Sequence, residues 1–272
     1  MKLPNESFSS ELSLAIDAVL SAGEQVMSIY KSKFTHKLKD DNEPVTQADI
    51  ISDKIIRKYF LPLKIPVLSE ETKDTGERLK SKMVWIVDPL DGTQDFIKKT
   101  GDFSIMISLV ENGVPVLGVI YNPVTDVLYI AEFKKGAYKK EDGKWHKINV
   151  SNIDNLGNSN AVMSKNHLSD REKFLLKKLG ITKFIQQGSA GLKIMHIACG
   201  EEDLYFTFTN KMKQWDISAP QCILREAGGK ITDMNGGVLV YNTKDVSHKK
   251  GILVTNGILH NAIVDLYKDQ QL

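Results

Sequence analysis

The sequence has few of the features that place a chain of 272 residues in a specialised class. Its two cysteines, Cys199 and Cys222, fit neither a disulfide framework nor a zinc motif, so we expect buried, inert thiols and a reducing compartment. No apolar run approaches the roughly 20 residues of a membrane span. The start, MKLPNESF, lacks the charged and apolar regions of a signal peptide. We therefore expect neither a secreted disulfide scaffold nor a transmembrane segment.

The sequence also has no large excess of positive or negative charge. The chain has 36 basic and 34 acidic residues, a formal net charge of +2, which argues against a dedicated binder of nucleic-acid polymers. A small phosphorylated substrate remains compatible with this charge. Apolar residues make up 42% and aromatic residues 8%, as in ordinary globular proteins, and the length suffices for a sizeable core. One large domain or two small ones fit equally well.

Hydrophobic periodicity divides the chain near residue 150. We expect an α+β half at 1–150, containing the metal-binding motifs, and an α/β half at 151–272 that contributes substrate recognition and one metal ligand. The predicted helices are 8–30, 46–60 with Thr46 as its cap, 170–179, 192–199, 217–227 and 258–268. The predicted strands are 66–68, 83–87, an antiparallel meander over 103–133, 161–163, 184–185, 204–208 and 252–255. Polar segments are expected at 40–44 and, exposed, at 72–82.

The sharpest motif is Trp85-Ile-Val-Asp-Pro-Leu-Asp-Gly-Thr93. An apolar strand ends in Asp88, proline fixes the turn, and Asp91 follows three residues later. Mg2+ in proteins is bound by one or two carboxylates together with substrate phosphate, and the carbonyl of Leu90 offers a further oxygen. An ordinary tight turn is the alternative, because Asp-Gly is a common hairpin signal. The apolar strand favours the metal site, since a carboxylate at the mouth of a buried strand needs a partner.

Gly92 and Thr93 are expected to begin a short helix that extends through Phe96. A helix N-terminus offers N–H groups and the positive end of the helix dipole, so a phosphate can bind there. The alternative is an ordinary capped turn. The neighbouring acidic residues favour the phosphate site.

Three further acidic positions have an ordinary explanation each. Glu70, in Ser69-Glu70-Glu71, can belong to an exposed acidic loop. Asp216, after Trp215, can be the N-cap of the following helix, with Pro220 in its first turn. Asp49 can be an acidic residue in the first turn of the second helix. Together with the Asp88–Asp91 motif, these positions form a set that is more informative than any member alone.

That set, with its DPLDGT stretch and a downstream WD-x-x-x-P, resembles the lithium-sensitive, magnesium-dependent phosphomonoesterases of the inositol monophosphatase and fructose-1,6-bisphosphatase superfamily. The resemblance covers residues 10 to 265 or so. Within it the chain is most similar to the 3'(2'),5'-bisphosphate nucleotidases of the CysQ type, through Leu68-Ser-Glu-Glu71, the extended motif up to Ile97 and Gly101-Asp-Phe103. The branch usually has Lys-Glu where this chain has Gln94-Asp95, and inositol monophosphatases typically have Thr-Asn.

Two later elements also resemble that branch. Ser164-Lys-Asn-His167 is similar to its Ser/Thr-x-x-His element, and Gly188-Ser-Ala-Gly-Leu-Lys193 is similar to its glycine-rich stretch. The resemblance implies that Ser164, His167, Ser189 and Lys193 bind the nucleotide and its second phosphate. Taken by themselves, His167 can be a loop histidine, Ser189 a helix cap and Lys193 a solvated helix charge.

The resemblance implies a layered αβαβα fold with the active site between the two halves. It implies that Glu70, Asp88 and the Leu90 carbonyl hold a first Mg2+, that Asp88, Asp91 and Asp216 hold a second, and that a third ion binds near Glu70. The resemblance also implies that Asp216 contacts the substrate. The implied reaction converts adenosine 3',5'-bisphosphate to AMP and phosphate, clearing a by-product of sulfate assimilation.

In this reaction Thr93 and Asp49 are expected to form a proton relay to a metal-bound water. The N–H groups of Gly92 and Thr93 are expected to hold the phosphoryl group. An inositol monophosphatase or broad sugar phosphatase is the alternative within the class, separated by Asp95, Ser164, His167 and Lys193. A non-catalytic metal- or nucleotide-binding relative is the other, disfavoured by the intact acidic set. The expected location is the cytoplasm, with peripheral association at the inner membrane face left open, as is the oligomeric state.

Overall fold

The structure, a computed structural model, describes residues 2–5, 7–39 and 44–269. The expected polar loop at 40–44 lies outside the described residues except for Pro44. In the first half the helices are α1 (Ser10–Lys31), α2 (Gln47–Phe60) and α3 (Thr93–Ile97). The strands are β1 (His36–Leu38), β2 (Pro44–Thr46), β3 (Val67–Ser69), β4 (Met83–Asp91), β5 (Ser104–Glu111), β6 (Val114–Asn122), β7 (Val127–Glu132), β8 (Ala137–Glu141) and β9 (Lys144–Ile148).

Strands β3 to β9 form a seven-stranded sheet in sequence order. β3 runs parallel to β4, and the remaining pairs are antiparallel, as the alternating pattern predicts. The meander extends past its predicted end at residue 133, because β8 and β9 add two strands. These strands have mostly polar, partly exposed side chains, so apolar alternation gave no signal for them.

The second half contributes a five-stranded sheet with the order β11-β10-β12-β14-β13. β10 pairs in parallel with both β11 and β12, whereas β14 is antiparallel to β12 and β13. Its strands are β10 (Ala161–Ser164), β11 (Phe184–Gln187), β12 (Leu204–Thr207), β13 (Lys230–Thr232) and β14 (Ile252–Thr255). Its helices are α4 (Asp170–Lys178), α5 (Ala190–Ala198), α6 (Gln214–Glu226) and α7 (His260–Asp269). The division of the chain at residue 150 into two functional halves stays a prediction.

Three apolar clusters show that the elements stack in five layers. α1 and α2 cover one face of the seven-stranded sheet through residues such as Ile16 and Trp85. α5 and α6 fill the space between the two sheets, with Ile194 and Ile223 in the same cluster as Ile86 and Val254. α4 and α7 cover the outer face of the five-stranded sheet. The order α–β–α–β–α is the layered fold predicted from the sequence.

α1 corrects one expectation. Within the described ranges it is the one helix that, by length and composition, could cross a membrane, with a mean hydropathy of 1.3, although no such apolar run was expected. Eight of its residues, from Leu12 to Val26, are buried, and seven of them belong to the apolar cluster beneath the seven-stranded sheet. The helix is therefore a core helix of this fold.

Two further expectations are wrong in detail. α6 begins at Gln214, so Asp216 lies inside its first turn and Pro220 lies beyond that turn, in the helix interior. The segment 72–82 is not wholly exposed, because Arg78 is buried. Its guanidinium binds Asp74 (2.8 Å), Asn242 (2.9 Å) and the carbonyl of Thr243 (3.0 Å), and so ties this segment to the second half.

Candidate active site

A cavity of about 660 Å3 lies where the end of β4 and α3 meet the first turns of α5 and α6. Every residue predicted to bind metal or substrate lines it, and Asp49 lies one hydrogen bond behind Thr93. The predicted residues on its wall are Glu70, Asp88, Leu90, Asp91, Gly92, Thr93, Ser164, His167, Ser189, Lys193 and Asp216. The topology thus brings together residues from both halves of the chain.

The turn after β4 is held from outside the sheet. The hydroxyl of Ser52 on α2 donates to the carbonyl of Pro89 (2.7 Å), and the N–H of Leu90 donates to Oδ1 of Asp88 (3.1 Å). The pairing of β4 with β5 shifts between Asp88 and Asp91. This irregularity lets both carboxylates and the peptide between them face the cavity.

Asp88 is the most strongly perturbed of these carboxylates. Its side chain is 1% exposed, and burial raises its pKa well above the ordinary value. The negative charges of Glu70, Asp91 and Asp216 raise the pKa further, against the hydrogen bond from Leu90. A buried charge among like charges is costly without a cation to offset it.

Glu70 follows β3, and two groups that the sequence analysis missed control its position. Its carboxylate accepts from the ammonium of Lys39 (2.7 Å), which also binds Glu71 (2.6 Å). Burial raises the pKa of Glu70 to about 7, although Lys39 opposes the shift. Behind the loop, Asp53 on α2 accepts from Ser69 (2.5 Å) and Thr72 (2.8 Å). Only the burial of Asp53 distinguishes it from a surface helix residue, and the sequence gives no sign of that burial.

Asp91 has a structural partner besides its predicted metal. Its carboxylate accepts from the N–H groups of Ala190 (3.1 Å) and Gly191 (2.8 Å) in the first turn of α5, and from the hydroxyl of Ser189. Ser189 is the N-cap of that helix and accepts from the N–H of Leu192 (3.1 Å), so the helix-cap interpretation of Ser189 is confirmed. Asp91 therefore joins the end of β4 to the start of α5.

Asp216 occupies the third position of α6. Its Oδ2 accepts from the backbone N–H of Lys213 (2.7 Å), the N-cap residue, while Asp216 also lines the cavity. The N-cap itself is Lys213, so the alternative that Asp216 is the N-cap is wrong by three positions.

The donor set fits a hard divalent cation, although it is not closed around one. Among the residues that the structure describes, no three His, Cys, Asp or Glu side chains are grouped closely enough to hold a metal ion. Glu70 is paired with Lys39, and Asp91 is bonded to the first turn of α5. The donors are nonetheless all carboxylate and carbonyl oxygens, which Mg2+ prefers. The buried charge of Asp88 supplies the physical reason for a cation here.

Thr93 and Asp49 are joined as the sequence analysis expected. The hydroxyl of Thr93 lies 3.0 Å from Oδ1 of Asp49 and 3.2 Å from the carbonyl of Leu90. The other oxygen of Asp49 accepts from the N–H (2.8 Å) and the hydroxyl (2.6 Å) of Thr46, the predicted cap of α2. Burial raises the pKa of Asp49, and the hydrogen bonds from Thr46 and Thr93 oppose this shift.

Gly92 precedes α3 as its N-cap with φ +94°, a conformation that favours glycine. A β-carbon there would lie 2.7 Å from the carbonyl oxygen of Asp102. The carbonyl of Gly92 accepts from the N–H groups of Asp95 (2.9 Å) and Phe96 (3.0 Å). The short helix predicted from Gly92 through Phe96 is thus present, with its first turn on the cavity wall.

The cavity wall also carries positive charge. Lys193 is 5% exposed, so it is not the solvated helix charge that was the alternative. Its ammonium donates to the carbonyl of Ser189 (2.8 Å) and lies 5.3 Å from the ring centre of Tyr205. Burial lowers its pKa, while nearby aspartates including Asp91 oppose the shift. Three basic residues that the sequence analysis missed also line the cavity, namely Arg171, Lys211 and Lys213.

Ser164 and His167 close the end of β10. The hydroxyl of Ser164 accepts from the backbone N–H of His167 (3.1 Å), so the two form one hydrogen-bonded turn on the cavity wall.

The two cysteines, which were predicted to be buried and inert, lie outside this cavity. Cys222 is buried and Cys199 is half-buried, and burial raises the pKa of both to about 12, which keeps them protonated at neutral pH.

Comparison with known proteins bears on this arrangement. The sequence model of the inositol monophosphatase family matches residues 9–272. The chain is 40% identical over 228 residues to the 3'(2'),5'-bisphosphate nucleotidase CysQ of Buchnera aphidicola, covering 82% of this chain and 84% of that protein. It is 35% identical over 234 residues to the protein of the same name from Aggregatibacter actinomycetemcomitans, covering 85% and 87%.

The fold has a counterpart in a solved structure of similar sequence. The crystal structure of CysQ from Bacteroides thetaiotaomicron, a bacterial member of the inositol monophosphatase family, superposes with a TM-score of 0.79 at 34% identity. The match covers 93% of this chain and 99% of that one. The likeness therefore extends over nearly the whole of both chains.

Proposed function

Because this chain belongs to the inositol monophosphatase family, we propose that it hydrolyses the 3'-phosphate of adenosine 3',5'-bisphosphate to AMP and phosphate. The matches confirm the predicted family, the layered fold and the likeness to CysQ-type nucleotidases. The observation that carries the proposal is one cavity that joins buried carboxylates, Asp88 above all, to the buried ammonium of Lys193. A substrate with two phosphates fits a cavity that offers both metal-binding oxygens and a buried positive charge.

The family typically uses Mg2+, and the donors here fit it. We propose that Glu70, Asp88, Asp91, Asp216 and the Leu90 carbonyl hold two or three ions. Bound ions would offset the phosphate charge and lower the pKa of a coordinated water. The chain's own share is to keep these oxygens in place: Ser52 fixes the Pro89 turn, and Asp53 fixes the loop of Glu70.

Thr93 and Asp49 are proposed to move the proton. The hydroxyl of Thr93 already donates to Asp49, whose burial and raised pKa make it a better proton acceptor than an exposed aspartate. Thr46 holds the second oxygen of Asp49, so the carboxylate keeps one orientation. The first turn of α3, at Gly92 and Thr93, is proposed to face the phosphoryl group.

Recognition of the nucleotide is proposed for the second half. Ser164, His167, Ser189 and Lys193 lie on the cavity wall there, and Asp216 lines the same cavity. Arg171, whose guanidinium lies 4.0 Å from the ring centre of Phe208, adds a positive charge at the rim. The cytoplasm is proposed as the location, because both cysteines are unpaired.

The deciding experiment measures phosphate release with Mg2+ from adenosine 3',5'-bisphosphate and from inositol 1-phosphate, each with and without lithium. We expect a strong preference for the nucleotide and loss of activity with lithium. A preference for inositol phosphate would retain the metal site and reject the nucleotide assignment. No release from either substrate would favour another phosphate ester or a non-catalytic binding protein.

A further inference from the structure

Asp95 is a buried carboxylate at the junction of the two halves that the proposed reaction does not use. It lies in α3, two residues after Thr93, and is 1% exposed. Its Oδ1 accepts from the hydroxyl of Thr100 (2.9 Å), within the same loop. Its Oδ2 accepts from Nδ2 of Asn166 (2.7 Å), which belongs to the second half. Burying a carboxylate costs free energy, so we look for a functional reason for this buried pair.

Asn166 is held at both ends of its amide. While Nδ2 donates to Asp95, its Oδ1 accepts from the ammonium of Lys98 (2.9 Å), which follows α3 directly. This arrangement fixes which end of the amide faces which partner. The side chain between Ser164 and His167 is therefore fastened to the helix that begins at Thr93.

The backbone of the second half packs tightly against Asp95 at this junction. Gly188 follows β11, and a β-carbon at this position would clash with Oδ2 of Asp95 and lie 2.7 Å from Cβ of Asp102. The second sheet thus approaches Asp95 so closely that position 188 has no room for a side chain. Asp95, Asn166 and Gly188 all line the cavity, beside the turn formed by Ser164 and His167.

We propose that Asp95, acting through Asn166, is a positioning residue that sets the distance between the phosphate-cleaving end of the cavity and the Ser164–His167 turn, and so selects substrates with two phosphates. This inference rests on the proposed nucleotidase function. A substrate that spans the cavity needs both ends at a fixed separation, whereas a small monophosphate contacts only the acidic end.

The pair offers a reciprocal exchange. In Asp95→Asn, a neutral bond between two amides replaces the charge-assisted one, and in Asn166→Asp, two carboxylates meet, so each single variant weakens the pair. The double variant restores a carboxylate–amide pair with its direction reversed, and Lys98 then faces a carboxylate. Rescue by the double variant is a result that general damage to the fold would not produce.

The test compares KM and kcat for adenosine 3',5'-bisphosphate and for inositol 1-phosphate. We expect each single variant to raise KM for the bisphosphate about tenfold, the size of one charge-assisted hydrogen bond, with kcat changed less than about threefold. The double variant should recover most of this loss. The kcat/KM for the bisphosphate divided by that for inositol 1-phosphate should fall in the single variants. Thermal unfolding should confirm that each variant is folded.

A matched control is available away from this junction. Asp126→Asn changes an exposed carboxylate that accepts from the hydroxyl of Tyr121 (2.9 Å) within the first half and leaves the bond between Asp95 and Asn166 intact, so KM for the bisphosphate should not change. Equal losses on both substrates, or no rescue in the folded double variant, would overturn the positioning role while the proposed function stands. A wild-type protein inactive on the bisphosphate would instead overturn the proposed function, and the inference with it.

Discussion

Asp91 and Gly191 lie 100 residues apart in sequence, yet the carboxylate of the first accepts a 2.8 Å hydrogen bond from the backbone N–H of the second. The same carboxylate accepts from Ala190 and Ser189, so it acts as an anion at the N-terminus of α5. A residue predicted as a metal ligand is thus also a structural link between the two halves, and the two roles can be separated by experiment.

Asp91→Asn should destabilise the metal-free protein by about 1–3 kcal/mol, because an amide has only one oxygen to replace the two that accept these hydrogen bonds. The measurement is urea unfolding in the presence of a chelator. A residue that served only as a metal ligand would not lower stability under these conditions, and an unchanged midpoint would contradict the structural role.

Asp88→Asn should change stability in the opposite direction. Its carboxylate is buried among like charges and its pKa is raised, so the charged form at neutral pH opposes folding. Without metal, the variant should be more stable than the wild type by about 1–3 kcal/mol. Phosphate release should be abolished and metal binding weakened, which isothermal titration would measure. Kinetics close to those of the wild type would reject Asp88 as a ligand.

Thr93→Val should lower kcat by about a hundredfold or more, because the variant keeps the shape of the side chain and loses the proton relay to Asp49. Thr93→Ser is the matched control and should retain most of the rate. Asp49→Asn should also lower kcat while the protein stays folded, since an amide oxygen still accepts from Thr46. Full activity in Thr93→Val would exclude the relay.

Lys193→Ala should impair hydrolysis of the bisphosphate far more than that of a simple monophosphate. We expect at least about a tenfold rise in KM for the bisphosphate, because the buried ammonium is the positive charge nearest to the start of α5. Lys177→Ala, at an exposed position of α4, is the control. Equal losses on both substrates would remove Lys193 from substrate recognition.

Acidification should destabilise the fold through His260. Its Nε2 lies 2.9 Å from Thr232 and its Nδ1 lies 3.0 Å from Thr255. The Thr232 hydroxyl donates to the carbonyl of Asp233, so it accepts from His260, which leaves Nδ1 as the acceptor of the neutral ring. Burial, together with the nearby charge of Lys230, lowers the pKa of His260 to about 4.

Proton linkage determines whether this histidine stabilises or destabilises the fold as the pH falls. Because the unfolded histidine has a pKa of about 6.5, the unfolded state binds the proton first, and stability present above pH 6.5 is lost as the pH falls toward 4. His260 should account for about 1–3 kcal/mol of this loss. Urea unfolding at pH 7 and pH 5 should show a smaller difference in His260→Gln than in the wild type. His146→Gln, at an exposed position, should show the wild-type difference.

The sequence was most informative where one residue determines local geometry. Thr46 predicted the start of α2, and the Asp-Pro-Leu-Asp-Gly-Thr stretch predicted a strand, a turn and a short helix, all of which are present. The family, the layered fold and the branch likeness followed from the same motifs. The assigned roles of the site residues stay predictions that the experiments above address.

What the sequence did not indicate depends on long-range packing. Lys39 looks like one more surface lysine, and only the folded chain places it 2.7 Å from Glu70. Asp53 and Arg78 are charged residues that become buried because distant segments supply their partners. The start of α6 was predicted three residues too late, because Lys213 is not a residue that usually caps a helix.

The contact between Arg78 and Asn242 has a consequence for synthesis of the chain. The two residues are separated by 164 positions, and α6, which covers the inner face of the seven-stranded sheet, begins at Gln214. A nascent chain that has emerged only as far as β9 therefore exposes an apolar sheet surface that includes Met106 and Ile120. The helix that covers this surface, α6, has not yet been synthesised at that point. Because residues at the start of α6 line the cavity, the cavity can be completed only after this helix has left the ribosome.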